Sequence, residues 1–549
     1  MKRHRKSHGD SAQSKTPRMH GHSARENRET SVVPSRDAPR GPVSEGASRT
    51  ADVHAAEESD EGVVPTNVSN NDGLGRPSAE GREGRPSTKE NPEQPPSPRT
   101  QRRSGAPGGS RGLLGVREAA QRDQRRRFTA LLHHVTVDLL RASYQALKPT
   151  AAPGVDGLTW TTYRTHLDQR LAELHDRVHR GTYRALPSKR AYIPKADGRQ
   201  RPLGIAALED KIVQRALGVV LSQIYEVDFL GFSYGFRPQR SPHDALDALW
   251  VGLMRQRVNW VLDADIQGFF DTLDQQWLLR FVEHRIADPR VLRLIRKWLR
   301  AGVLEDGVWS DREAGTPQGA VLSPLLANIY LHYVFDLWVH HWRTHHATGD
   351  VIVVRYADDI VMGFEQRRDA DRCLAAWQAR LATFGLRLHP DKTRLIEFGR
   401  FAAEHRRRRG VGKPESFAFL GFTHSCGRTR TTGKFMVQRT SSAQRFRAKL
   451  QAVKRLLRQR RHDPVPEVGA WLRGVVEGWF GYHAVPGNGP RLEAFRREVL
   501  RLWFRTLRRR SQRRPLTWEP FTRRCVGWLP SVTIRHPFPA VRFAVRHPR

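Results

Sequence analysis

The stretch VIVVRYADDIVMGF, residues 351–364, sets two apolar runs on either side of a short polar turn. Val351–Val354 and Ile360–Met362 carry the branched side chains that suit a pleated, half-buried surface. The pattern predicts a β-hairpin with two adjacent acids, Asp358 and Asp359, at its tip. Asp is also an ordinary turn residue. Two carboxylates held together beside buried strands repel one another, however, and a divalent cation relieves that repulsion.

A second acidic strand gives the hairpin a partner. WVLDADI, residues 260–266, is followed by QGFFD, residues 267–271. The two-residue repeat of a strand puts Asp263 and Asp265 on one face, so either is able to join the hairpin acids. Hard oxygen ligands from two separate strands are an economical way to hold two Mg²⁺ ions roughly 4 Å apart, the arrangement that nucleotidyl transfer uses.

Around these strands, residues 113–425 mix amphipathic helices with short β-rich segments, which predicts an α+β domain. A helix beginning at Ser323 and Pro324 is expected to present Leu326, Ile329, Tyr330, Tyr333 and Leu337 on one apolar face, with Ser323 as its cap. From about residue 441 the pattern turns helical. Ser441 and Ser442 precede a run in which Phe446, Leu450, Val453 and Leu457 share a face, and Val468, Leu472, Val475 and Trp479 form a second stripe. Residues 490–549 hold 16 Arg against 3 Glu, interleaved with Trp503, Phe504, Trp518, Phe521 and Trp528. That mixture suits nucleic-acid stacking and equally suits packed helices. The run Arg406–Arg409 with Lys413 reads as a loop that either contacts RNA or is a solvated face.

The bulk properties agree with a polyanionic partner. The 549 residues carry 94 Lys+Arg against 56 Asp+Glu, a net charge of +38, far beyond what solvated surfaces need. Cys373, Cys426 and Cys525 stand singly, which supports neither a disulfide framework nor a zinc finger. Residues 1–112 are rich in Ser, Gly, Pro and charge and poor in aromatics, so they are expected to be a disordered basic extension. The opening residues are charged without an apolar stretch after them, and no run approaches the ~20 apolar residues that span a bilayer. A soluble protein of the bacterial cytoplasm or nucleoid, without membrane partners, is expected.

The order of segments resembles the reverse transcriptases encoded by bacterial group II introns, the reverse transcriptase/maturase family, over about residues 113–549. AYIPKADGRQRPLGI (191–205) resembles the fingers block and SYGFRPQRSPHDAL (233–246) the next one. DADIQGFFD is similar to polymerase motif A, GTPQGAVLSPLLANIYL (315–331) to motif B and YADD to motif C. GLRLHPDKT (385–393) resembles motif D and FLGFTHSC (419–426) the primer-grip region. Seven blocks in order are far more specific than any one.

The resemblance implies a right-hand polymerase, with fingers and palm over 113–425 and a helical thumb/maturase domain over 426–505; the basic aromatic tail over 506–549, by its composition, is a candidate nucleic-acid contact or a further packed helical region. It implies catalytic and metal-binding roles for Asp265, Asp358 and Asp359, with the Ile266 backbone carbonyl as a further ligand, and selects Asp265 over Asp263. It places Lys195, Arg201, Phe270, Gln318 and Gly319 around the incoming dNTP, with Phe270 as the steric gate against a ribose 2′-hydroxyl. Family members often carry a second Gly where this chain has Ala320. Lys195 and its neighbours also read as an exposed hairpin turn. The implied cofactors are two Mg²⁺ ions, and the implied partners are group II intron RNA, template RNA, primer DNA and dNTPs. The paired Cys and His of the family's C-terminal endonuclease are not seen after Arg523. The competing readings are a stand-alone or defence reverse transcriptase, a splicing cofactor that only binds RNA, and an RNA-dependent RNA polymerase, which needs no aromatic gate. Oligomeric state, the intron and its target are not legible.

Overall fold

The computed structural model describes residues 111–546 apart from 195–199, 306–307, 311–314, 316–318, 430 and 511–515. Three sheets organise it. The first joins β1 (Ser188–Pro194), β2 (Gln200–Ile205), β4 (Val303–Glu305) and β5 (Val308–Ser310) in the order β2-β1-β4-β5. The second joins β3 (Trp260–Asp265), β6 (Val351–Tyr356), β7 (Asp359–Phe364) and β8 (Arg394–Glu397) in the order β6-β7-β3-β8. The third joins β9 (Phe417–Phe419), β10 (Phe422–Arg428) and β11 (Phe435–Ser441). The fold is mixed helix and sheet, as its pattern predicts.

The second sheet is buried on both faces. Leu262, Ala264, Val353, Ile360 and Met362 turn toward one core, with Phe335, Trp377 and the helix Ser323–Leu331. Val261, Val354, Val361 and Ile396 turn toward another, shared with the helix Pro242–Arg255 and with Phe417, Phe419 and Phe422 of the third sheet. Asp263, Asp265 and Asp359 alternate in phase with this second set, so the acids continue an apolar face past the point where its cover ends.

Several local expectations need correction. The helix at residue 323 begins after Leu322, with Ser323 as its first helical residue rather than its cap. A π-turn at His332–Asp336 then adds a residue to the turn and rotates the helix beyond it. Leu326, Ile329 and Tyr330 are therefore buried while Leu337 is exposed. Residues 426–441 are largely strand, so the helical region starts at Ala443. There Ser442 makes no side-chain cap, although the face from Phe446 to Leu457 packs as expected. In the next helix Val476 rather than Val475 is the fully buried residue. Arg406–Arg408 lie on a helix, not a loop, where Arg406 pairs with Glu415 and Arg408 with Glu404, and Arg409 beyond it pairs with Glu397. Of the C-terminal aromatics, Trp503 and Phe521 are buried core and Phe504 and Trp528 pack against it, while Trp518 is exposed.

One buried acid ties the N-terminal segment to the helix Pro289–Arg300. Asp288 accepts from Leu131 N (2.7 Å) and Leu132 N (3.0 Å) with one oxygen and from Arg290 N (2.9 Å) and Val291 N (3.4 Å) with the other. Burial opposes its charge, but the backbone amides and the Arg290 guanidinium outweigh it and hold the pKa below the usual range. Asp288→Ala leaves these donors unmatched and should cost about 2–4 kcal/mol in urea unfolding near neutral pH. The depressed pKa means this contribution is present above the unfolded value of about 3.9 and fades as pH falls through the native one. The gap between the two proteins should therefore narrow in acid; a gap that widens contradicts this.

Candidate active site

The hairpin register decides where the acids stand. Tyr356 pairs with Asp359, leaving Ala357 and Asp358 as the two-residue turn. Ala357 has φ +55, the left-handed conformation that a tight hairpin turn demands and that costs a residue with a Cβ. Strand β7 then runs antiparallel to β3 with Asp265 opposite Asp359 and Asp263 opposite Val361. The Asp265 carbonyl accepts from His389 N at 2.8 Å, on the far side of β3 from β7. Asp265 and Asp359 thus form the kind of antiparallel pair whose side chains stand closest, with Cα atoms about 4.5 Å apart. By the same alternation the Ile266 carbonyl is directed toward the hairpin side, because the bonds flanking it, from His389 N and from Gln267 N to Arg387 O at 2.9 Å, run the other way.

Like charge accumulates here. Exclusion of water raises the pKa of Asp359 well above the usual carboxylate range, and Asp358, Asp265 and Asp263 raise it further, with Arg445 opposing them. The residue itself remains exposed on the cleft side. Burial pushes Asp263 up to about 6, with Asp265 adding to it and Arg394 opposing. The cleft has a volume of about 380 Å³ and is lined by Asp263, Asp265, Asp359, Lys392 and Arg394, with Phe419 at its wall.

Two cations face these acids. Lys392 Nζ lies 2.6 Å from Asp265 Oδ2, and Arg394 Nη2 lies 3.4 Å from Asp263 Oδ2. Among the described residues no three His, Cys, Asp or Glu side chains stand, as placed, in a group that could hold a metal ion. The donor set nonetheless fits divalent cations: hard oxygens from two strands, crowded enough to push the Asp359 carboxyl above its ordinary range. The two acids of β3 differ, since Asp263 has its own arginine and sits opposite Val361 whereas Asp265 faces the hairpin acids.

The other expected site residues are placed unevenly. Phe270 is half-buried, with its ring 5.3 Å from that of Phe269. Gly315 lies on the backbone beside it: a Cβ there would come within 2.6 Å of Phe270 O, and Gly315 N donates to Leu273 O at 2.7 Å. Gly319, at φ +108, abuts β2, where a Cβ would meet Gly204 O at 2.9 Å. The loop bearing Gly319 is thereby brought to the strand bearing Arg201, which pairs with Ile193 across β1. Lys195 and Gln318 lie outside the described residues.

Pattern reading missed the group that fixes the hairpin tip. Arg355 is fully buried, and its guanidinium donates in five directions: to Asp336 Oδ1 (2.7 Å) and Oδ2 (2.6 Å), Asn328 Oδ1 (2.9 Å), Ser233 Oγ (2.7 Å) and the carbonyl of Ala357 (3.1 Å). Asn328 in turn donates to Gly235 O at 2.7 Å, and a Cβ on Gly235 would fall 2.3 Å from Ala357 N. Arg355 therefore holds the turn that presents Asp358. Its signal was an arginine where strand alternation demands an apolar residue, a buried charge in need of partners.

Comparison with known proteins supplies the family. The reverse transcriptase (RNA-dependent DNA polymerase) family matches residues 193–424. Protein YkfC of Escherichia coli K12 is 36% identical over 282 residues, 45% of this chain and 73% of YkfC. The group II intron-encoded protein LtrA of Lactococcus lactis is 37% identical over 207 residues, 37% of this chain and 34% of LtrA. A 91 kDa protein of the cob intron in Schizosaccharomyces pombe is 36% identical over 199 residues, 36% of this chain and 24% of that protein. The chain thus spans about a third or less of the intron-encoded relatives it matches.

Arg355→Met strands Asp336 without its partner and should cost about 3–5 kcal/mol. Arg355→Met with Asp336→Leu removes both buried charges and should recover most of that stability, yet leave the Ala357 carbonyl without its donor. Hydrogen exchange at Ala357–Asp359 should remain faster than in the parent in both variants. Parent-like protection at the tip in the stable double variant would mean that Arg355 does not hold it.

Proposed function

Because the chain belongs to the reverse transcriptase (RNA-dependent DNA polymerase) family, we propose that it extends a DNA primer on an RNA template from the cleft between β3 and the β6–β7 turn. The observation that carries this reading is the register that sets Asp265 opposite Asp359 beside the Asp358 turn. Asp265, Asp358 and Asp359, with the Ile266 carbonyl, would hold two Mg²⁺ ions; these supply a polarised primer hydroxyl and charge neutralisation on the triphosphate. The chain's own residues do the rest. Arg355 fixes the tip, Lys392 screens Asp265, and Phe270 closes the sugar pocket so that a 2′-hydroxyl meets a packed ring. Lys195, Arg201, Gln318 and Gly319 are assigned to the triphosphate and the nascent pair, where cations offset charge that builds in the transition state.

In this reading residues 113–425 are fingers and palm, 426–505 the thumb/maturase region, and 506–549 a basic extension. The region after β11 supports it by its position: Arg445, on the first helix there, is close enough to act on the charge of Asp359. The match to LtrA supports an intron RNA as both template and folding partner, with assistance to splicing and mobility as the biological role. The charge of +38 supports RNA as that partner.

Primer extension on poly(rA)/oligo(dT) tests the assignment. The protein should incorporate dTTP and discriminate against UTP. Asp358→Ala should lower extension by about 10²–10³-fold or more while filter-binding affinity for RNA does not fall below the parent's, because removing a carboxylate removes no attraction for phosphate. Phe270→Ala should raise UTP use relative to dTTP. Loss of RNA affinity in step with extension, or an unchanged nucleotide ratio, would contradict these roles.

A further inference from the structure

The helix Leu167–Arg180 ends at Gly181, whose φ of +79 turns the chain out of the helix and leaves carbonyls facing outward. Lys297 covers that end: its Nζ donates to Gly181 O at 3.2 Å and to Tyr183 O. Lys297 stands on the helix Pro289–Arg300, whose opposite face (Val291, Leu292, Leu294, Ile295, Trp298 and Leu299) is entirely buried. The polar face of that helix is thereby held in one orientation. It meets the end of the first helix across a hollow of about 60 Å³, lined by Arg180, Arg290, Arg293 and Lys297 with His179 and Tyr183.

The acids near this hollow do not balance it. Arg180 has only Asp176, at 3.6 Å and mostly exposed. Arg290 reaches Asp288 at 3.5 Å, but that carboxylate is already committed to four backbone amides. Elsewhere on the same two helices arginines are well matched, Arg177 with Glu209 at 2.8 Å and Arg296 with Glu283 at 2.5 Å. Among the described residues no carboxylate pairs with Arg293 or Lys297. Burial lowers the pKa of Lys297, and the nearby Arg293 and Arg184 lower it further, so positive charges crowd one another here. Guanidinium forks on a rigid helix around a space this small suit a tetrahedral oxyanion.

The geometry points to a second nucleic-acid contact: the hollow between residues 178–183 and 290–297 takes a backbone phosphate of RNA, held by Arg180, Arg290 and Arg293 over the Lys297 ammonium. None of its lining residues lines the acid cleft, so it can be filled while a primer terminus occupies that cleft. The phosphate comes either from template upstream of the cleft or from a separately folded RNA segment. This inference rests on the RNA-templated reading of the cleft.

The test uses the full chain with Arg180→Gln/Arg293→Gln, against a control that removes equal charge from another exposed helix, Arg368→Gln/Arg372→Gln. RNA affinity is measured across a salt series for three probes: a template–primer with a 5′ template overhang of only a few nucleotides, the same duplex with a long 5′ template overhang, and a folded RNA without a primer. Extension on the short-overhang duplex is measured in parallel. The hollow variant should bind the overhang or the folded RNA more weakly, with its salt slope reduced by about 1 relative to the control. Binding and extension of the short-overhang duplex should be unchanged, and Arg180→Lys/Arg293→Lys should restore much of the binding. Whichever probe responds identifies the source of the phosphate. Equal salt slopes for hollow variant and control on all three probes would overturn the inference while leaving the cleft intact. A parent protein that extends nothing would instead overturn the cleft reading.

Discussion

The structure depends on a repulsion that the fold does not relieve. Asp265 and Asp359 are paired across adjacent strands, Asp358 stands in the β6–β7 turn just before Asp359, and Asp263 lies two residues back on the same face. Apolar side chains of the same phase lock the register, because Val261, Val354 and Val361 pack into a core that a one-residue slip would empty. The sheet thus pays in electrostatic free energy to keep its acids together, and Lys392 and Arg394 answer only part of that charge. Divalent cations are the chemistry suited to answer the remainder.

Against that strain the hairpin tip has to be held from behind, and Arg355 does so. A single guanidinium joins the strand leading into the turn, the π-turn that supplies Asp336, the helix that supplies Asn328 and the loop that supplies Ser233. Gly235 lets that loop come flush against the tip. The acidic turn and the segments behind it are therefore mechanically one unit. The glycines at 315 and 319 play the same part on the Phe270 side, bringing their loop against both the backbone of Phe270 and that of β2.

Much of this was legible because it rests on short-range pattern. The hairpin, the second acidic strand and the mixed fold follow from alternation in two segments, and seven ordered blocks name a family. What escaped has a common cause. The π-turn that turns Leu337 outward, the strands at 426–441 and the helix at Arg406 are decided by tertiary packing, which overrides local propensity. Whether the aromatics at Trp503 and Phe521 would stack on bases or fill a core was undecidable from composition, since both uses want the same residues; burial assigns these two to the core. Arg355 looked like a charged interruption in a strand until its four partner residues, three of them from distant segments, were in view.

The proposed convergence of the two acidic segments on shared cations is open to direct chemical reading. Fe²⁺ substituted for Mg²⁺, with ascorbate, generates hydroxyl radicals that cut the backbone close to where the ion sits. Cuts near Asp265 and near Asp358, appearing together and suppressed together by added Mg²⁺, are the predicted result. Cuts in one segment alone, or cuts that Mg²⁺ does not suppress, would contradict a common site.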